Sequence, residues 1–375
     1  MTQALYAFSA DPIHNGHIDL IARAAGHFEH LTAVIAVNGG KSYTFSLEER
    51  LDMARHSLEH LSNVTVTSFP RLLVDYAYQQ GIPVIIKGVR DSADYTYEKL
   101  LYEVGETQQT GIETFLLPAH RDKAHISSTA VKEIQRNQGD IHEYVPLYVK
   151  QKLEARISGQ YILGVIGDMG CGKSYVSQKF AEIGQQKDIT VHPIELDHIG
   201  HCILRALKEP AYQATRDQIA ERFGKHLQKP DGSIRRKELG EIVFGNPEEL
   251  EAFNQLLLHP ILTHLRKELY GKQGLILLNA ALLAETNTTY LCNHNVLLVE
   301  ANAPLQEQRL KARGLTPEQI QKRLQSQYRS SQKEQHLLEQ IRKDRNGRLW
   351  KLDNNGTPAL EPLLDSIVET LHVKP

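Results

Sequence analysis

Two short stretches of this sequence combine residue types and spacing suited to chemistry on nucleotide phosphates. The first, Gly167-Asp168-Met169-Gly170-Cys171-Gly172-Lys173-Ser174, has the spacing G-x-x-x-x-G-K-S and lies between an apolar run and a helical pattern. In that context the glycines free backbone N–H groups to point at phosphates, and the helix start adds positive potential. Gly167, Gly170, Cys171 and Gly172 then form a cradle for ATP, Lys173 reaches its phosphates, and the Ser174 hydroxyl suits a Mg2+ ion. The second stretch runs from Ser9 to His17, where His14-Asn15-Gly16-His17 reads H-x-G-H at a loop–helix junction. Its two imidazoles can donate hydrogen bonds to an α-phosphate whose charge shifts in the transition state. No glutamate completes an H-E-x-x-H pattern, so zinc fits poorly.

Further polar groups fall at the ends of other apolar runs. Lys41 follows residues 33–37, and Lys87 and Arg90 follow residues 84–86, with Glu98 just beyond. Ile126-Ser127-Ser128-Thr129 opens a helical pattern with hydroxyls and free N–H groups, a cradle for a triphosphate. Asp197 closes the run 190–196, where two readings stand. It can accept a hydroxyl proton or support the metal, or it can be the N-cap of a helix from Ile199 onward.

Such residues need a scaffold that gathers them. Residues 5–9, 33–37, 64–67, 84–86 and 114–117 read as strands, with helical patterns between them. One of these helices, 47–60, starts with the capping-box pair Ser46 and Glu49. Regular alternation predicts a doubly wound parallel α/β sheet, with ligands at the carboxyl ends of the strands. A second start appears at Tyr161, with strands at 162–166, 190–196, 275–278, 296–299 and 348–352 and more helix between them. A chain of 375 residues exceeds one ordinary core, so two domains are expected, 1–158 and 159–375. The charged stretch 322–348 reads as a solvated helix or a mobile flap. A formal net charge of -2 argues against a general nucleic-acid binder, which needs basic excess for phosphate contacts. Three cysteines without a CxxC pair suit a reducing compartment. With no basic leader and no apolar stretch of about 20 residues, the expectation is a cytoplasmic protein away from membranes.

The first half resembles bacterial phosphopantetheine adenylyltransferases from Leu5 to about Lys152. The resemblance rests on the H-x-G-H stretch, on Lys41 ahead of Phe45-Ser46-Leu47-Glu48-Glu49-Arg50, on Lys87 to Glu98, and on Ile126 to Glu133. It implies that Ser9 and His17 contact the reacting phosphate, with His14 beside them on the ATP side. It also implies that Lys41 and Arg90 stabilise the transition state and, with Ser9 and Lys87, hold the phosphate of 4'-phosphopantetheine. Glu98 then lies on the nucleotide side, and Ser127, Ser128 and Thr129 hold the β- and γ-phosphates. The family usually reads G-[ST]-F-D-P where this chain has Phe8-Ser9-Ala10-Asp11-Pro12, and usually has arginine where Lys87 stands.

The second half resembles dephospho-CoA kinases over most of Tyr161 to Pro375. An ordered series carries this: the phosphate loop, Glu195-Leu196-Asp197, Asp231 to Lys237, Phe244 to Glu249, Leu257-Leu258-His259-Pro260, Leu282 to Glu285 and Asp353-Asn354-Asn355-Gly356. The resemblance implies a P-loop kinase fold with helical CoA-side and lid insertions, and places Arg309 and Arg313 near the lid over ATP. Asp168 stands where the family usually has glycine, so an anion sits inside an anion-binding loop. Pointing to solvent it would be harmless; turned inward it would weaken ATP binding.

Together the two resemblances imply a bifunctional enzyme of the last two steps of coenzyme A synthesis. ATP, 4'-phosphopantetheine, dephospho-CoA and CoA would be its ligands, with Mg2+ accompanying ATP. The first family is usually homo-oligomeric, so self-association is possible for this chain too. Two other readings compete: an NMN adenylyltransferase paired with a ribosylnicotinamide kinase, and a fusion with one catalytically impaired, ligand-binding half.

Overall fold

A computed structural model describes residues 3–37, 39–325 and 329–374. The chain forms two compact units, residues 1–157 and 158–375.

The first unit runs β1 (Gln3–Phe8), α1 (Asn15–Ala25), β2 (His30–Ala36), α2 (Leu47–Leu58), β3 (Val64–Phe69), α3 (Leu73–Gln80), β4 (Val84–Val89), α4 (Ser92–Glu106), β5 (Glu113–Pro118), α5 (Ser128–Arg136) and α6 (Leu147–Leu153). Its sheet is parallel throughout, in the order β3-β2-β1-β4-β5. A parallel sheet needs apolar side chains on both faces, and β1 supplies them by alternation. Leu5 and Ala7 pack with Val34, Ala77 and Ile85 on one face, while Tyr6 and Phe8 pack with Ile21, Ile35 and Ile86 on the other. Each fully buried Leu, Ile or Val side chain contributes about 1.5–3 kcal/mol. The strand order reverses between β1 and β4, which opens a crevice at their carboxyl ends. Helix α2 starts with the expected capping box, Ser46 Oγ accepting from the Glu49 amide at 3.2 Å and Glu49 Oε2 accepting from the Ser46 amide at 2.8 Å. It ends at Leu58, two residues before the predicted limit.

After α6 the chain makes a π-helical turn (Glu154–Ser158) and enters the second unit. Its elements are β6 (Gln160–Ile166), α7 (Lys173–Gln186), β7 (Val191–Glu195), α8 (Leu196–Arg205), α9 (Pro210–Phe223), α10 (Arg236–Val243), α11 (Pro247–Leu269), β8 (Gly274–Asn279), β9 (Asn295–Glu300), α12 (Ala303–Ala312), α13 (Pro317–Gln325), α14 (Ser330–Asp344), β10 (Arg348–Asp353) and α15 (Leu360–Leu371). The sheet is again parallel, in the order β10-β9-β6-β8-β7. Every residue of central β6 is buried, and Ile162 and Ile166 share a cluster with Ile276, Leu278, Val296 and Leu298. The switch point lies at β6, whose carboxyl end feeds the glycine-rich loop.

Two expectations change here. The strand expected over 190–196 ends at Glu195, and Leu196 already starts α8. Asp197 therefore sits inside the first helical turn, while Glu195 holds the N-cap position without a side-chain cap bond. The N-cap reading of Asp197 is thus wrong. The charged stretch at 322–348 is helical over Ser330–Asp344, as one of its two readings expected, but it is not solvated on every face. Helix α14 buries Leu337 and Lys333 completely, and its last residue, Asp344, accepts from His294 Nε2 at 2.8 Å. Its charged pattern hid the buried face because that face is itself partly charged. Residues 326–328 lie outside the described residues.

Candidate functional sites

In the first unit, β1 runs into a loop built around the Asp11 carboxylate. It accepts the Thr44 and Phe45 amides at 3.1 and 3.0 Å and the Lys132 ammonium at 2.7 Å. Burial pushes the Asp11 pKa up, but Lys132 and the two amides outweigh this and hold it below the ordinary carboxylate value. Ala10 sits beside it at φ 52°, a left-handed position. Arg50 lies buried beneath the loop; its Nη1 donates to the Ser9 carbonyl at 2.8 Å and its guanidinium stacks on Tyr43 at 3.9 Å. Sequence reading assigned no role to Asp11, Lys132 or Arg50, which support the loop from three other elements.

His14 occupies the N-cap of α1, with Nδ1 accepting from the His17 amide at 3.3 Å. The two imidazoles stack with centroids 3.6 Å apart, and Phe8 lies against His17 at 5.0 Å. A β-carbon on Gly16 would come within 3.1 Å of the His14 ring, so glycine makes room for that stack. Burial, then the charge of Arg90, lowers the His14 pKa to about 3. Burial, then His14 and Arg90, pushes His17 well below its usual value. Both rings are therefore neutral at pH 7. His17 Nδ1 is buried without a hydrogen-bond partner.

At the end of β4, Lys87 Nζ lies 3.1 Å from Glu98 on α4. Arg90 forms a fork on Asp94, Nε to Oδ2 at 2.7 Å and Nη2 to Oδ1 at 3.0 Å, and its Nη1 reaches the Ile126 carbonyl at 3.5 Å. The Asp94 bond raises the Arg90 pKa, and Arg90 lowers that of Asp94. Ser127 and Ser128 behave differently from a simple hydroxyl cradle. Ser127 Oγ caps α5 by accepting from the Ala130 amide at 3.1 Å, and Ser128 Oγ donates to the Pro12 carbonyl at 2.8 Å. The Ser128 hydroxyl thus ties the start of α5 to the loop after β1, the Ser127 hydroxyl closes the helix end, and Thr129 is exposed on its first turn. The Arg90 charge acts on both imidazoles and its Nη1 reaches the carbonyl just before Ser127, which brings His14, His17, Arg90 and the start of α5 together at the β1–β4 switch point, with the Lys87–Glu98 pair at the end of β4. Lys41 is exposed in the loop between β2 and α2.

In the second unit the phosphate loop adopts glycine-only conformations, with φ of 146° at Gly167, 83° at Gly170 and 99° at Gly172. A β-carbon on Gly167 would fall 2.1 Å from the Val299 carbonyl oxygen. Lys173 folds back over the loop, its Nζ donating to the carbonyls of Gly167 at 2.9 Å and Asp168 at 3.2 Å. Gly172 caps α7 with no side-chain bond, and Ser174 is exposed on the first turn. Cys171 is fully buried.

Arg309, expected near a lid, is spent on the loop itself. Its Nη1 donates to the carbonyls of Gly170 at 3.1 Å and Cys171 at 2.9 Å, and Nη2 to that of Asn354 at 3.3 Å. Asn354 Nδ2 adds a bond to the Cys171 carbonyl at 2.8 Å. Arg313 is exposed at the end of α12. Asp197 is exposed on the first turn of α8, where the positive charge of Lys173 and the negative charge of Glu195 act on its carboxylate in opposite directions. Asp168 does not face solvent freely, because α14 holds its carboxylate: Ser330 Oγ donates to Oδ2 at 3.3 Å and Lys333 Nζ lies 3.4 Å from Oδ1.

Comparison with known proteins agrees with this division. Residues 6–134 match the cytidylyltransferase-like family and residues 161–345 the dephospho-CoA kinase family. The phosphopantetheine adenylyltransferase of Paenarthrobacter aurescens is 43% identical over 156 residues, covering 41% of this chain and 93% of that protein. That of Renibacterium salmoninarum is 42% identical over 153 residues, 40% of this chain and 95% of that protein. That of Hamiltonella defensa is 39% identical over 151 residues, 40% of this chain and 97% of that protein. The crystal structure of TT1252 from Thermus thermophilus aligns at 24% identity with a TM-score of 0.41, over 57% of this chain and 97% of that one, and nothing rests on so loose a match. Through its first unit the chain belongs to the phosphopantetheine adenylyltransferases, and its second unit is a dephospho-CoA kinase domain fused behind it.

Proposed function

We propose that the chain carries out the last two steps of coenzyme A synthesis. The first unit joins the adenylyl group of ATP to the phosphate of 4'-phosphopantetheine, giving dephospho-CoA and pyrophosphate. The second unit then transfers the γ-phosphoryl group of another ATP to the ribose 3'-hydroxyl, giving CoA and ADP. The observation that carries this is the pairing of two phosphate-handling sites, each at the switch point of its own parallel sheet.

In the first site the incoming phosphate is the nucleophile, so catalysis is positioning and charge stabilisation. Because His14 Nδ1 accepts the His17 amide, the neutral ring carries its proton on Nε2 and can donate there. Ser9 and His17 contact the reacting phosphate. Lys41, Lys87 and Arg90 supply positive charge, and the last two must exchange Glu98 and Asp94 for the phosphates. Lys87 offers charge without the two-pronged geometry of an arginine. Glu98, Ser127, Ser128 and Thr129 lie on the ATP side.

In the second site Gly167 to Ser174 cradle ATP, and Lys173 swings from its loop carbonyls to the phosphates. Arg309 serves by fixing the cradle, and Arg313 covers its open side. Asp197, exposed on the first turn of α8 just past the carboxyl end of β7, is placed to accept the hydroxyl proton. Ser174 would hold a Mg2+ ion that accompanies ATP, with the nucleotide's own oxygens as its other partners. Such an ion would neutralise phosphoryl charge.

Helix α4 buries none of its residues and exposes Tyr95, Tyr97, Leu100 and Val104, which supports self-association of the chain. A monomer by light scattering at assay concentration rules that out. No disulfide joins the three cysteines, which supports a reducing, cytoplasmic setting, and no described helix is long and apolar enough to cross a membrane. The overall reading is tested by supplying 4'-phosphopantetheine and Mg-ATP and following the products by mass spectrometry.

A further inference from the structure

Lys333 has no exposed surface, yet it carries a charge. A buried ammonium is tolerated only where anions and acceptors compensate it. Its Nζ lies 3.4 Å from Asp168 Oδ1 and 3.4 Å from Glu285 Oε1, and it donates to the Ala281 carbonyl at 3.3 Å. One turn earlier on the same helix, Ser330 Oγ donates to the other Asp168 oxygen at 3.3 Å. Asp168 is therefore a junction. Its carbonyl receives Lys173 at 3.2 Å, within the cradle, while its side chain is drawn toward α14.

An uncompensated carboxylate at the second position of a phosphate loop would oppose a triphosphate at close range and low dielectric. A glycine there would need no compensation. We infer that Lys333 is a positioning residue of the kinase site: its ammonium neutralises the Asp168 carboxylate and, with Ser330, holds it away from the phosphates, so that the loop binds ATP despite carrying an anion. Glu285 holds Lys333 from the other side and keeps the ammonium off the nucleotide. Lys333 thus acts through Asp168 and touches no reacting atom.

The inference rests on reading Gly167 to Ser174 as the kinase ATP site, and the two can fail separately. With the full chain, Mg-ATP and supplied dephospho-CoA, Lys173→Ala should abolish turnover. If it does not, the site reading fails whatever Lys333 does. Given that control, Lys333→Gln should raise the KM for ATP about tenfold, within the coupling range of contacting charged pairs, with much less change in kcat. The same substitution made on top of Asp168→Asn should add less than about threefold, because no anion remains to be held. Trp350, the single tryptophan, is nearly buried in β10 and reports folding of this unit by fluorescence. A wild-type KM in Lys333→Gln overturns the inference, and so does an equal penalty in both backgrounds. Should Lys333→Gln not fold alone, the double variant decides. Folded with the KM of Asp168→Asn it supports the role; unfolded, or with a KM raised about tenfold, it overturns it.

Discussion

The histidines of the first site show how a residue's chemistry is set by where the chain puts it. His14 is locked as the N-cap of α1 and stacked on His17, so both rings are held neutral by burial. In the unfolded chain each takes a proton near pH 6.5. Between that pH and the much lower native values the unfolded state binds more protons, so stability falls as pH falls. The loss begins below about pH 6.5, reaches at most about 1.4 kcal/mol per pH unit for each histidine, and for His14 ends near its native value of about 3. Hydrogen exchange of α1 and β1 against pH checks this; His14→Asn should flatten the profile, and an unchanged slope would contradict it. The H-x-G-H spacing was legible because it is local. Arg50 and Lys132 were not, because each serves the loop from a distant element, Arg50 through the Ser9 carbonyl and Lys132 through Asp11.

At the scale of elements, both sites are strand-to-helix junctions at a sheet's switch point. The β6–loop–α7 junction depends on backbone that only glycine adopts. Gly167→Ala places a β-carbon 2.1 Å from the Val299 carbonyl, with φ at 146°. It should cost the kinase step about 100-fold or more, the scale of losing preorganised phosphate donors, while adenylyl transfer persists. Separate assays with each substrate check this, and a kinase retaining near-normal turnover would contradict the strain argument. Strand positions were legible from alternating or continuous apolar runs, and the Ser46 box marked the start of α2 exactly where it lies. The start of α8 was not legible, because Thr190 to Leu196 is apolar enough to read as one strand. The buried face of α14 was not legible for a different reason. Its buried face carries Lys333, whose partners Asp168 and Glu285 are far away in sequence, and a local pattern cannot show that a charge will be compensated from elsewhere.

For the whole molecule, the account is one chain with two chemistries in series, the product of the first site being the substrate of the second. The measurement that tests this most directly is the product time course of the full chain with 4'-phosphopantetheine and Mg-ATP, followed by mass spectrometry for the wild type, His17→Ala and Lys173→Ala. The account predicts dephospho-CoA rising first and CoA after it in the wild type. Lys173→Ala should stop at dephospho-CoA. His17→Ala should slow the first step roughly 100- to 1000-fold while still converting supplied dephospho-CoA to CoA. A wild-type chain that makes neither product, or a single substitution that silences both steps in a protein still folded, would contradict it.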